Sequence, residues 1–192
     1  MKPALLTLLS ATAVLLAGCV VTSVYPYFNE KDRSFEPALL GEWTNSTSAD
    51  QRWKFEKDGE LAYRLTCTES AKVTVMQAQP FQLRGELFLD LSRTNAEDEP
   101  FPPGIPSHVL LRVRERSPDL RLAPLKYDWL AKELAEQPTA LRHHSIKTGE
   151  KPDDRYYVVT ADTTELQRFV LKHLQEAAPW ADELTLKRVT AK

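Results

Sequence analysis

Between Trp53 and Leu122 the apolar side chains fall largely on alternate positions, and this period of two constrains the fold more than anything else in the chain. Trp53 and Phe55 alternate with Lys54 and Glu56, and Leu61, Tyr63 and Leu65 form a second set. Lys57-Asp58-Gly59-Glu60 between them has the Asp-Gly composition of a hairpin turn. Val73, Val75 and Met76 mark a third strand within 72–79, and Phe81 and Leu83 run on to Arg84-Gly85, beyond which Leu87, Leu89 and Leu91 alternate again. A proline-rich loop occupies 95–106. Val109, Leu111 and Val113 then give a strand within 107–115, and Leu120 and Leu122 give the next after a turn at Ser117-Pro118-Asp119. A half-buried strand wets its other side, so Arg112, Arg114 and Arg116 are expected to face solvent.

Two segments break this rhythm. The stretch 127–137 reads as a helix, with Leu130 and Leu134 one turn apart and Pro138 as its stop. Asp162 is an N-cap with Glu165 at capping-box spacing, and Leu166, Phe169, Val170 and Leu174 share one face before Pro179. Residues 141–147 and 155–160 pair across a polar segment. Leu184 and Leu186 suggest a closing strand whose phase slips at Arg188. The predicted fold is mainly β (α+β): an antiparallel meander forming a barrel or half-barrel, with two helices in the C-terminal half. An eight-stranded barrel either fills its interior or holds one small ligand, so this fold by itself leaves function open.

Composition removes several classes of activity. A chain of 192 residues, 42% hydrophobic and 27% charged, suits one packed domain. Lys+Arg of 25 against Asp+Glu of 27 offers no basic face, so no nucleic-acid partner is expected. The six glycines stand too far apart for a Walker loop, a dinucleotide turn or a nucleophile elbow, and no Ser-x-x-Lys occurs. The histidines at 108, 143, 144 and 173 lack metal-ligand spacing; His143 and His144 would point to opposite faces of a strand, and His173 lies beside an apolar helical stripe. Glu97-Asp98-Glu99 and Asp153-Asp154 read as solvated loops. Trp53, Tyr63, Tyr156 and Tyr157 either line a cavity or fill a core. Neither a catalytic residue, nor a metal site, nor a cofactor is expected.

The N-terminus carries the most specific signal. Met1-Lys2 precedes a mostly apolar run from Ala4 to Ala17, which ends in Leu16-Ala17-Gly18-Cys19. That run is shorter than the roughly 20 residues of a membrane span and fits a signal-peptide core. Leu-Ala-Gly-Cys resembles the lipobox of bacterial lipoproteins. The resemblance implies cleavage between Gly18 and Cys19, lipidation of Cys19, and membrane attachment through that lipid. Val20, where an Asp would favour inner-membrane retention, favours the outer membrane. Two or three acyl chains anchor durably where one does not. With Cys19 lipidated, Cys67 is the only remaining thiol, so no internal disulfide forms, and Cys67 reads as a small buried hydrophobe. The expected organisation is a signal peptide over 1–18, a lipidated N-terminus and tether over 19–35, and a single β-rich globular domain over 36–192.

Gly41-Glu42-Trp43 resembles the Gly-x-Trp opener of lipocalins, although the Thr-Asp-Tyr motif of that group is missing. The resemblance implies that Trp43 plugs one barrel end, with Arg188 as the candidate to pack over it in a cation–π contact. Leu40-Gly-Glu-Trp43, Leu87-Phe-Leu-Asp-Leu91, Leu120 to Leu125 with Asp128-Trp129-Leu130, and the stretch from Thr160 to Phe169 together resemble uncharacterised bacterial envelope lipoproteins. The expectation is a lipid-anchored envelope protein that acts by binding or interaction and not as an enzyme. Its expected partners are the membrane and an envelope protein or small apolar ligand; the alternative is a lipocalin-like carrier of a small apolar ligand.

Overall fold

The computed structural model describes residues 20–93, 107–149 and 155–190. A short strand β1 (Thr22–Ser23) precedes a meander of β2 (Gly41–Asn45), β3 (Gln51–Asp58), β4 (Ala62–Glu69), β5 (Lys72–Leu83), β6 (Glu86–Arg93), β7 (His108–Glu115) and β8 (Asp119–Pro124). Consecutive strands from β2 to β8 pair antiparallel, and β11 (Leu184–Arg188) pairs with both β8 and β2. That last pairing closes an eight-stranded antiparallel barrel. Between β8 and β11 the chain makes an excursion through α1 (Tyr127–Glu136), β9 (His143–Lys147), β10 (Arg155–Val159) and α2 (Thr163–Lys172). The fold is mainly β with two helices in its C-terminal half, as the alternation predicted.

The interior is built from the alternating residues. Trp43, Trp53, Phe55, Tyr63, Leu65, Leu89, Leu111, Leu120, Leu122 and Leu186 all point into one core, and none is more than 1% exposed. Burying each such side chain contributes about 1.5–3 kcal/mol. Hairpin geometry keeps them in phase: Gly59, at φ +70°, turns β3 into β4, and Phe55 then faces Leu65 across the ladder. The segment ahead of β2 closes one end. Phe35 stacks on Tyr63 at 5.1 Å, and a 3-10 turn over Pro37–Leu39 places Leu39 fully inside.

A second core lies outside the barrel. Phe81, Leu83, Phe88, Leu110, Ala123 and Leu125 project from the outer side of β5–β8 and are buried by the excursion, chiefly by Leu130 and Leu134 of α1, Leu166, Phe169 and Val170 of α2, and Trp180. This corrects the expectation of a wet face for the arginine run. Arg112 is only 5% exposed, donates to the Leu174 carbonyl at 2.7 Å and to Glu86 at 2.9 Å, and lies over the Trp180 ring. Arg114 and Arg116 remain exposed. The phase slip at Arg188 is also resolved: Arg188 keeps the phase of Leu184 and Leu186 and pairs with Trp43, and both Arg188 and Val189 are exposed at the end of the strand.

The segment expected to be a tether is part of the body. Val21, Ser23 and Tyr27 are each 2% exposed or less. β1 inserts between β7, antiparallel, and β10, parallel. The Tyr27 N–H donates to the Asp90 carboxylate at 2.8 Å, the Gln167 amide donates to the Tyr27 carbonyl, and the Thr163 hydroxyl donates to the Pro26 carbonyl. The physical reason is composition, because Val21, Tyr27 and Phe28 cover the apolar outer wall near Phe81 and Val159. Deleting residues 20–35 is therefore expected to lower the thermal midpoint strongly and to expose dye-binding apolar surface, since losing Tyr27 alone removes a side chain whose truncation costs about 3–5 kcal/mol. A deletion that left the melt unchanged would mean the segment is a tether after all.

Candidate functional site

Gly41, Trp43 and Arg188 meet at the closed barrel end. Antiparallel pairing sets Arg188 opposite Trp43, and the guanidinium carbon lies 4.1 Å from the ring centroid. Arg188 also donates to the Leu40 carbonyl at 2.7 Å and to the Ala38 carbonyl. The Trp43 indole N–H donates to the Leu39 carbonyl at 2.8 Å. Glycine is favoured at 41 by a φ of +111°, and an added Cβ would also stand 3.0 Å from Arg188 Nη1. Gly18 and Cys19, like the carboxylates at 97–99 and 153–154, lie outside the described residues.

The other candidates are dispersed. Trp53 and Tyr63 are fully buried inside the barrel, whereas Tyr156 and Tyr157 belong to β10 outside it, so these four do not line one cavity. His108 contacts Asp90 at 2.7 Å beneath the N-terminal segment. His143 Nδ1 is 2.9 Å from the Leu141 carbonyl, its ring meets Tyr157 edge-on, and His144 is exposed. His173 is buried against Trp129 and Phe169 at the end of α2. Among the described residues no three His, Cys, Asp or Glu side chains gather as metal ligands. Burial pushes the Cys67 thiol up to about 12, with Glu69 adding to it, so the thiolate is scarce at neutral pH.

Two grooves lie along α1, on the outer core. One groove of about 660 Å³ runs between α1 and the β9–β10 hairpin, lined by Asp128, Lys132, His143, Ser145 and Arg155 around Tyr127, Ala131, Ala135 and Tyr157. Ala131 and Ala135 are four residues apart, so two small side chains fall on one helix face and leave the space. A second groove of about 450 Å³ adjoins it, lined by Val20, Pro124, Leu125, Trp129, Ala178 and Ala181, and shares Tyr127, Asp128 and Lys132. Tyr127 holds the two together. Its hydroxyl donates to the Arg155 carbonyl at 3.2 Å and accepts the Tyr157 N–H at 3.0 Å, and its ring stacks on Tyr156. Partial burial raises its hydroxyl above the ordinary tyrosine range. No protein-family model, no curated protein and no solved structure matches this chain.

Two polar side chains of the groove have partners within the protein. Ser145 accepts from Arg155 at 3.1 Å and His143 Nδ1 faces the Leu141 carbonyl, so the hydroxyl and the imidazole are each engaged elsewhere through those atoms. Sequence reasoning missed these grooves. The one available signal was the density of apolar residues at Val20, Val21, Val24 and Tyr27, which is too high for a solvated linker.

At the closed barrel end, Gly41→Ala is expected to cost about 1–3 kcal/mol, Arg188→Ala about 1 kcal/mol and Trp43→Ala about 3–5 kcal/mol, each read from urea unfolding. Native Cys67 should react with iodoacetamide at pH 8 on the order of 10³ more slowly than the unfolded chain, because its thiolate population is tenfold lower per unit of pKa. The sign for stability follows from the same displacement. A thiol raised to about 12 on folding contributes stability that is complete below the ordinary value near 9 and is lost as pH climbs toward 12. Equal alkylation rates in the two states would show Cys67 to be open to solvent.

Proposed function

We propose that the protein is a bacterial envelope lipoprotein, held by acyl chains on Cys19, that acts by non-covalent binding along the α1 grooves and carries out no turnover. One observation carries this reading. Val20, the residue after the lipobox cysteine, is already bridged to Lys126 and forms part of the wall of the 450 Å³ groove. The recognition surface thus begins where the anchor ends. Val20 in place of an acidic residue favours the outer membrane as the destination.

The carrier reading would require volume inside the barrel. Large side chains occupy that axis, with Trp43, Trp53, Phe55 and Tyr63 packed against leucines, which weighs in favour of a binding site on the outside. A partner at the α1 grooves would meet apolar surface from Trp129, Leu125 and the alanines, bordered by charges of both signs at Asp128, Lys132 and Arg155. Such a mixed lining fits an envelope protein segment or an amphipathic small molecule.

Cys19→Ser is expected to abolish incorporation of an alkyne-tagged palmitate and to move the protein from the membrane to the soluble fraction. An unchanged partition, with no acyl mass on the native N-terminus, would remove the reading.

A further inference from the structure

We propose that the face carrying Val20 and the first turn of α1 rests on the bilayer, with the groove beside Trp129 closed by phospholipid headgroups. This rests on lipidation of Cys19, adds to it an orientation, and narrows the site left for an envelope partner to the groove between α1 and the β9–β10 hairpin. A free chain over 19–35 could reach on the order of 55 Å when extended, and would leave the body free to turn in any direction. No such length is available. Val20 is bridged antiparallel to Lys126, Val21 is buried, and β1 lies between β7 and β10. Successive Cα atoms are about 3.8 Å apart, so the acylated residue is one step from the groove wall and the surface around Val20 must lie against the membrane.

What surrounds Val20 has the chemistry of an interfacial contact. Trp129 and Tyr127 are half-buried and line the groove together with Ala178 and Ala181, and aromatic rings with a polar edge favour the headgroup level. Lys126 and Lys132 are exposed on the rim, where long basic side chains reach anionic phosphates. Asp128 stands between them, and Lys132 has Glu136 at 3.9 Å, so the charge attraction is modest and the aromatic edge supplies most of the contact.

Tryptophan fluorescence of the lipidated full-length protein in vesicles tests this. The vesicles are phosphatidylcholine brominated at the upper acyl carbons, with and without phosphatidylglycerol, and flotation first establishes attachment. Trp43, Trp53 and Trp180 are buried, which leaves Trp129 as the residue within reach of bromine. The expected result is quenching of the wild type that Trp129→Phe does not show, and a larger quench with phosphatidylglycerol that the double variant Lys126→Gln/Lys132→Gln loses. Failure to float would sink the anchor reading and this proposal with it. Flotation with no difference in quenching between wild type and Trp129→Phe would overturn the orientation alone, and would assign the groove to a partner other than lipid.

Discussion

The barrel wall formed by β5–β8 is apolar on both faces, and the rest of the structure follows from covering its outer side. In a strand successive side chains point in opposite directions, so Leu87, Phe88 and Leu89 cannot all face one interior, nor can Leu110 and Leu111. Leu87, Leu89 and Leu111 enter the barrel, while Phe88 and Leu110 are left outside with Phe81 and Leu125. A closed barrel offers no second interior for them. The chain supplies one by delaying its last strand, inserting α1, β9, β10 and α2 between β8 and β11, and by laying the N-terminal segment over the remaining gap.

Two charged side chains under that cover determine how it docks. Asp90 is 1% exposed on the outer side of β6, and its carboxylate is held by the Tyr27 N–H and by His108. Arg112 is buried on β7 and is held by Glu86 and by the carbonyl that follows α2 at Leu174. A buried charge is tolerable only when it is paired and hydrogen-bonded, and removing one partner of such a pair costs about 3–5 kcal/mol. A cover shifted by one residue would leave the Asp90 carboxylate without its backbone donor and Arg112 without its carbonyl. The apolar contacts therefore attract the cover, and the two charges give it a register.

The strands, both helices and the closing strand were legible because each depends on local periodicity: Leu130 and Leu134 mark α1, and Asp162, which accepts the Glu165 N–H, marks the start of α2. The closed end was legible through Gly41-x-Trp43, because its glycine answers a backbone requirement and its tryptophan an end-plug role. What escaped was the second core. Alternation identifies one buried face, and it assigned Arg112 to water because the opposite face was assumed wet. The nearly unbroken apolar runs at 87–91 and 109–111 carry the correction, since two-sided burial reads as continuity rather than alternation. The tether was misread for a related reason: β1 is two residues long and has no period to detect, and its partners are separated from it by more than eighty residues of sequence. The grooves depend on how α1 docks against β10, which no local pattern encodes.

A Gly-x-Trp opener followed by a meander is compatible with a ligand cavity, and here the same elements carry large side chains into the barrel core. Trp53 and Phe55 on β3, Tyr63 and Leu65 on β4 and Leu120 and Leu122 on β8 share one buried cluster with Trp43 and Leu39. Space remains where small residues face large ones, at Ala131 and Ala135 against Tyr157, and at Ala178 and Ala181 against Trp129. Both places belong to the cover. The cover forms because the wall is apolar on its outer side, and Val20, bridged to Lys126, belongs to it. The double-faced wall thus does more than stabilise the barrel: it draws the N-terminal segment and the two grooves along α1 to the same side of the molecule.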